Sequence, residues 1–334
     1  MTTKRNAKVQ KSYGVKETYE EAKEKWGKYD YVVELSNEMK ETKTAEGKKV
    51  VRKSATYETK GHIAIITLTR PEAMNAINLQ QMNDVNWCWH DFIDDDNLLV
   101  AILTGSGNAF CSGGDLKQMF TPYAEKVMQE GRRNREKARA EGREPTHEED
   151  PVAQHHWREI EVWKPIICAV NGWCMAAGLT MATDCDIVIA ADTAMFGTPQ
   201  GTRGIISATC SQRLPREIPK SIAFKMLLTG EPIDAKEAYR VGLVSDLVPL
   251  KDLMPTAMKM AEQICTLSPA SVKTMKEAAY RVLWYDYDET WDIVKDVQRR
   301  ILHSTREGRD NRHIGLMAFR EKKEPQWVMG KDAP

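Results

Sequence analysis

The 334-residue chain predicts an α/β fold built on a mostly parallel sheet, and three observations carry that prediction. Continuous apolar runs, each short enough for one strand, recur at residues 62–69, 98–105, 165–170 and 185–191. Helical spacing separates the first two, and a small-residue helix separates the last two. Strands without polar alternation are buried on both faces, which is the condition of a parallel sheet covered by helices. From Pro215 onward the strand signals fade and helical stretches dominate.

Taken in order, HIAIITLT from His62 reads as a buried strand stopped by Arg70-Pro71, where proline ends regular pairing. LQQMNDVNWCWHDFIDDD follows with apolar positions Met82, Val85, Trp89 and Phe92 on one helical face. LLVAILTGSG returns as a strand and completes a β, α, β unit. PIICAVNG and CDIVIAAD repeat the strand pattern around the helix MAAGLTMATD. Three regions follow from this reading. Residues 1–55 are a Lys/Glu-rich extension that packs on a neighbour or stays partly mobile; residues 56–250 are the core; residues 251–334 are a helical region. Within the core, residues 121–150 carry seven basic and eight acidic side chains and read as a solvated insertion over or beside a site.

Composition excludes several classes. Lys+Arg 48 against Asp+Glu 48 leaves a net charge of zero, so no global field holds nucleic acid or an anionic membrane. The amino end has no apolar run after its basic residues, and no segment approaches 18 apolar residues, so neither a secretion signal nor a membrane span is expected. Seven scattered cysteines without a CxxC pair read as reduced thiols of a cytoplasmic protein.

The strongest chemical signal is a pair of glycine-bearing strand-to-helix junctions, AFCSGGDLKQM (109–119) and NGWCMAAGLTMATDCD (171–186). Unpaired amides at such junctions favour negative charge, and two side by side could aim two donors at one oxygen, forming an oxyanion hole. Residue chemistry alone equally admits plain tight turns in which glycine supplies positive φ. GxGxxG and GxxxxGK[ST] are both absent, which disfavours nucleotide binding.

Arg70-Pro71-Glu72-Ala73-Met74-Asn75-Ala76, the 109–117 block, and the stretch from Lys164-Pro165 through Gly178 resemble, in order and spacing, three blocks of the crotonase (enoyl-CoA hydratase/isomerase) superfamily. CDIVIAADTAMFGTP, LLTGEPIDAKEAYRVGLVSDLVP and GLMAFREKKEPQW extend the resemblance over about residues 55–328. It implies a spiral of β, β, α turns with a helical carboxyl-terminal trimerisation region, assembling as a homotrimer or a dimer of trimers. It also implies an acyl-CoA substrate and no separate cofactor, coenzyme A entering as part of that substrate. By the same resemblance, the amides of Ser112 and Ala177 hold the thioester oxygen. Gly113, Gly114 and Asp115 line the CoA pocket, Met74 and Ala76 face the pantetheine arm, Lys117 and Lys322 meet CoA phosphates, and Phe319 packs on the adenine.

Where hydratases of this family carry two glutamates, this chain has Thr180 and Gln200. Neither side chain titrates usefully near neutrality, so the two-glutamate mechanism is not expected. Both could instead hold a water by hydrogen bonds, or serve as ordinary helix and turn residues. Arg203, Ser207 and Cys210 are secondary candidates on the segment GTRGIISATCSQRL. NGWC resembles the hydroxycinnamoyl-CoA hydratase-lyase branch, although Gln200 departs from that pattern too. The functional expectation is an acyl-CoA lyase of the hydratase type acting on a cyclic, aromatic or branched ester. Its alternatives are a hydrolase of CoA thioesters or ring carbon–carbon bonds, and a non-catalytic acyl-CoA-binding subunit. No metal site is expected, since the adjacent His155-His156 lacks a completing ligand cluster. Cys111 and Cys174 lie in the two junctions but lack a histidine to make a thiolate.

Overall fold

The computed structural model describes residues 36–44, 47–119, 121–143, 145–146, 149, 162–283 and 287–329. Its strands are β1 (Lys40–Lys43), β2 (Lys48–Val51), β3 (Ala55–Lys60), β4 (Ile63–Leu68), β5 (Val100–Gly105), β6 (Ala109–Cys111), β7 (Ile166–Val170), β8 (Trp173–Met175), β9 (Ile187–Ala191), β10 (Met195–Gly197), β11 (Ile233–Asp234) and β12 (Asp246–Val248). The α-helices are α1 (Leu79–Asp94), α2 (Pro122–Ala140), α3 (Ala177–Asp184), α4 (Ala208–Glu217), α5 (Lys220–Thr229), α6 (Ala235–Arg240), α7 (Leu253–Cys265), α8 (Pro269–Val282), α9 (Tyr287–Gln298) and α10 (Arg306–Glu321).

Two sheets organise the core. The larger runs β1-β2-β3-β4-β5-β7-β9-β12, parallel from β4 onward; the smaller runs β11-β10-β8-β6, parallel among β10, β8 and β6. Each turn of the spiral lays one strand in the large sheet and the next short strand in the small one, as β5 with β6, β7 with β8, and β9 with β10. A helix then returns the chain, so the β, β, α spiral is present.

The apolar runs are continuous because both faces of the large sheet are covered. Ile65, Ile102, Ile167 and Ile189 pack with Leu253, Ala257 and Ala261 of α7. Ile66, Leu103, Cys168 and Val170 face the other way, into a cluster with Val85, Trp89 and Phe92 of α1 and Phe110, Cys174 and Phe196 of the small sheet.

The described part of the amino-terminal extension is continuous with the core. β1 and β2 extend the large sheet antiparallel to β3, across the sequence boundary at residue 55. Arg52 Nε donates to Asp84 Oδ1 at 2.8 Å and the Ser54 amide to Asp84 Oδ2 at 2.7 Å, so both fasten this edge to α1. All four residues of β1 are exposed, and its lysines and glutamate suit an edge strand that must not recruit another sheet.

The charged insertion contains α2, opened by Thr121, whose hydroxyl accepts from the Ala124 amide. The carboxyl region is helical through α7 to α10. Strands β11 and β12 also lie beyond Pro215; two and three residues are too short for a periodicity signal. Among the described residues no helix is long and apolar enough to cross a membrane.

Candidate active site

Strands β6 and β8 are parallel neighbours, with Ala109 opposite Trp173 and Cys111 opposite Cys174. The chain therefore leaves both strands at the same end, and the two glycine-bearing turns lie side by side. Their contact is direct. A Cβ built on Gly178 would lie 2.2 Å from the Cys111 carbonyl oxygen, and one on Gly113 would lie 2.7 Å from the Ala176 Cβ and 3.5 Å from the Ala177 nitrogen. Glycine is required at both positions by this approach, and at Gly113 also by φ of 104°.

The first turn is held by the loop that precedes α1. Met74 and Asn75 both adopt positive φ there. Buried Asn75 accepts from the Arg70 amide at 2.8 Å and donates to the carbonyls of Ser106 at 2.9 Å and Ala109 at 2.8 Å. Arg70 donates to the Ala76 carbonyl and, at 3.0 Å, to Asp115 Oδ2. Ile77 forms a parallel bridge to Gly114, its amide donating to Gly113 O and its carbonyl accepting from Asp115 N, both at 2.7 Å.

This bridge decides which amide of the first turn is free. In a parallel bridge the flanking residues bond to the partner while the central residue's own N–H points to the opposite edge. The Gly114 amide thus points away from Ile77, and the residue before it, Gly113, packs against Ala176 and Ala177 of the second turn. Ser112, the expected donor, is corrected: its amide donates to the Met74 carbonyl at 3.0 Å, and its hydroxyl contacts the Ala73 carbonyl. An amide already paired internally has no proton for a ligand. Two residues on, the Gly114 amide has no acceptor among the described residues. Ala177 is the first residue of α3, and its amide likewise has no acceptor among them.

Thr180 and Gln200 are engaged by protein partners. The buried Thr180 hydroxyl lies 3.4 Å from both the Ala176 carbonyl oxygen and Cys210 Sγ. Gln200, in a short 3₁₀ helix at Pro199–Arg203, donates to Ser207 Oγ at 2.8 Å. Burial raises the Cys210 thiol pKa, against the opposing effect of hydrogen bonds from Ser207 and Thr180. Thr180, Cys210, Ser207 and Gln200 thus form a neutral polar wall beside the two turns. Arg203 is exposed and outside this set.

Asp115 is a structural anchor, half-buried and paired with Arg70. Met74 is exposed and Ala76 half-buried on the same loop, and Lys117 is exposed just beyond the first turn. Phe319 is 85% exposed on α10 and Lys322 caps that helix with positive φ. No hydrogen bond or ion pair among the described residues joins either to the turns. Burial pushes the Cys111 thiol up to about 12 and Cys174 well above its ordinary range, so neither is a thiolate at neutral pH. Among the described residues no group of three His, Cys, Asp or Glu could hold a metal, and His155-His156 lies outside them.

A family model for enoyl-CoA hydratase/isomerase matches residues 58–330. The chain belongs to that family. It is similar to (E)-benzylidenesuccinyl-CoA hydratase of Thauera aromatica, 35% identical over 275 residues that cover 81% of this chain and 97% of that protein. Carnitinyl-CoA dehydratase of Proteus mirabilis is 31% identical over 276 residues, covering 80% and 96%. Among solved structures, enoyl-CoA hydratase of Bacillus anthracis superposes with a TM-score of 0.69 at 28% identity, covering 82% of this chain and 99% of that one. These relatives are named as hydratases and a dehydratase, and the solved Bacillus anthracis hydratase shares the fold described above.

The sequence placed the junctions correctly but not three residues that shape them. Asn75 and Arg70 were legible only as part of a motif. Ala176, at φ 54° and ψ −116°, carried no signal in a run of small residues.

Proposed function

We propose that the protein is an acyl-CoA lyase of the hydratase type, in which the amides of Gly114 and Ala177 hold the thioester oxygen while negative charge develops on it. The observation that carries the reading is that both amides lack an acceptor among the described residues and sit in two turns in direct contact. In the direction of addition, the oxygen of water bonds to Cβ of the enoyl ester and gives up one proton to solvent water, the Cα=Cβ pair moves toward the carbonyl, and the resulting enolate oxygen accepts both N–H bonds. A proton then arrives at Cα. Each preorganised donor of this kind is worth about 10²–10³ in rate.

The neutral wall of Thr180, Cys210, Ser207 and Gln200 can hydrogen-bond a water but relays no proton as a carboxylate would. The proton for Cα therefore comes from water, from the substrate or from a group outside these four. A wall of this kind fits an ester other than a plain short-chain enoyl-CoA, and the likeness to (E)-benzylidenesuccinyl-CoA hydratase supports aromatic or branched acyl groups. Lys117 and Lys322 serve the CoA phosphates in this reading and Phe319 packs on the adenine, in a protein that assembles as a homotrimer or hexamer. Seven free cysteines, six of them buried, are in keeping with a reducing, cytoplasmic setting.

Steady-state turnover of crotonyl-CoA, cinnamoyl-CoA and cyclic enoyl-CoA esters, followed by loss of enone absorbance, tests the reading. Turnover of an aromatic or cyclic ester above that of crotonyl-CoA is expected. Release of free CoA, read as new thiol, with the Cα=Cβ bond intact in the product acid would replace it with thioester hydrolysis, and tight binding without either change would leave a binding subunit.

A further inference from the structure

Ala176 stands between the two turns in a backbone conformation that side-chain-bearing residues rarely adopt. Its φ of 54° and ψ of −116° match the first central position of a type II′ turn, where glycine dominates. It is held there from both sides. Its amide donates to the Gly197 carbonyl at 2.9 Å, and its carbonyl accepts from the Thr180 amide at 3.1 Å. Its methyl fills the space against Gly113, whose own Cβ would come within 2.7 Å of it. Gly113 and Ala176 are the residues immediately before the two donors, Gly114 and Ala177. The contact between them therefore sets how far apart the two amides stand.

We propose that Ala176 is a positioning residue: its methyl, wedged against Gly113, spaces the Gly114 and Ala177 amides for a thioester oxygen, at the expense of local backbone strain. The inference rests on the oxyanion reading of those amides. A glycine at this position relaxes the strained dihedrals but removes the wedge, so stability and carbonyl polarisation move in opposite directions. A side chain that served only packing would move both together.

The test is isotope-edited infrared spectroscopy of [1-¹³C]acetyl-CoA held at saturation, a probe with the smallest acyl group and no double bond to react. In the parent protein the carbonyl stretch is expected to fall below that of free ester. In Ala176→Gly at least half of that displacement is lost, while the melting temperature rises by ~2–4 °C, the shift that relief of modest strain produces in a domain of this size. Ala176→Ser, which keeps the Cβ, retains the parent displacement. An undiminished displacement in Ala176→Gly overturns the role of the methyl, and a lower melting temperature overturns the strain. No displacement in the parent protein overturns the oxyanion reading itself, so the two failures are told apart.

Discussion

Asp184 Oδ1 and Arg213 Nη1 meet at 2.5 Å in the interior, joining the last residue of α3 to α4. Both side chains are almost wholly buried. Thr180 lies one turn before Asp184 and Cys210 one turn before Arg213, so this ion pair fixes the helix-to-helix distance across which Thr180 meets Cys210. Removing the Asp184 charge leaves buried Arg213 only the longer 3.8 Å contact with Glu217 as an ion pair among those described. Asp184→Asn is expected to lower the unfolding free energy by about 3–5 kcal/mol, read from urea denaturation. The double replacement Asp184→Leu with Arg213→Met recovers most of that loss, because apolar pairs of similar volume restore packing without a charge. Equal losses in the single and double variants would mean that the ion pair is not what holds the helices.

Gly178 offers a sharper probe of the contact between the turns. A methyl there meets the Cys111 carbonyl at 2.2 Å, and this neighbour is backbone, which cannot rotate away. Gly178→Ala is expected to cost about 1–3 kcal/mol and to weaken binding of any CoA ester by pushing the first turn off the second. At Gly201 a built Cβ meets nothing within 4 Å, and Gly201→Ala should stay within about 0.5 kcal/mol of the parent. Thermal melts of the two variants side by side check the contrast.

The parts of this architecture that were legible in the sequence are those written in local pattern. The strands β4, β5, β7 and β9 announce themselves because burial on both faces demands unbroken apolar runs. The helix α1 shows its buried face through Met82, Val85, Trp89 and Phe92. What stayed hidden is written in pairing between distant segments. Strands β1 and β2 are Lys/Glu-rich and exist because β3 templates them. The choice between the amides of Ser112 and Gly114 depends on a bridge to Ile77 and on the Met74 carbonyl, neither of which the 109–119 block reveals. The hydrogen-bonding of Thr180 and Gln200 depends on α4, a helix concealed in the sequence by its interior Pro215.

By its resemblance to the family's hydratases the sequence would put Thr180 and Gln200 at the two glutamate positions, and both side chains are neutral. Installing acids at both, as Thr180→Glu with Gln200→Glu, is expected to raise crotonyl-CoA hydration by ~10²-fold or more over the parent protein, the usual contribution of positioned acid–base groups. The gain should appear with an acidic limb in the pH–rate profile that the parent lacks. Loss of enone absorbance at fixed enzyme concentration measures it. No gain, in a double variant that still binds the ester, would show that Ser207 and Cys210 leave no room for the glutamates to reach Cβ.

Lys164 is buried, and its ammonium donates to the carbonyls of Phe92 at 2.7 Å, Ile93 at 3.1 Å and Asp95 at 2.8 Å, closing the carboxyl end of α1. Burial, reinforced by the nearby Lys273 charge, lowers its pKa from 10.5 to about 8, against the opposing pull of Asp96, Asp95 and Asp94. In the unfolded chain the amine keeps its ordinary value, so between about pH 8 and pH 10.5 the unfolded state binds the extra proton. Stability rises with pH wherever the unfolded state binds more protons, so this residue's contribution grows across that window and is flat below it. Lys164→Met takes this donor from the Phe92 and Ile93 carbonyls, while that of Asp95 keeps the Leu98 amide at 3.0 Å, and the loss destabilises the protein at every pH. The decisive quantity is the difference in unfolding free energy between parent and variant, measured by urea denaturation at pH 7.5, 8.5 and 9.5. It should widen as pH increases; a constant or narrowing difference would mean that the three carbonyls, not burial, govern the amine.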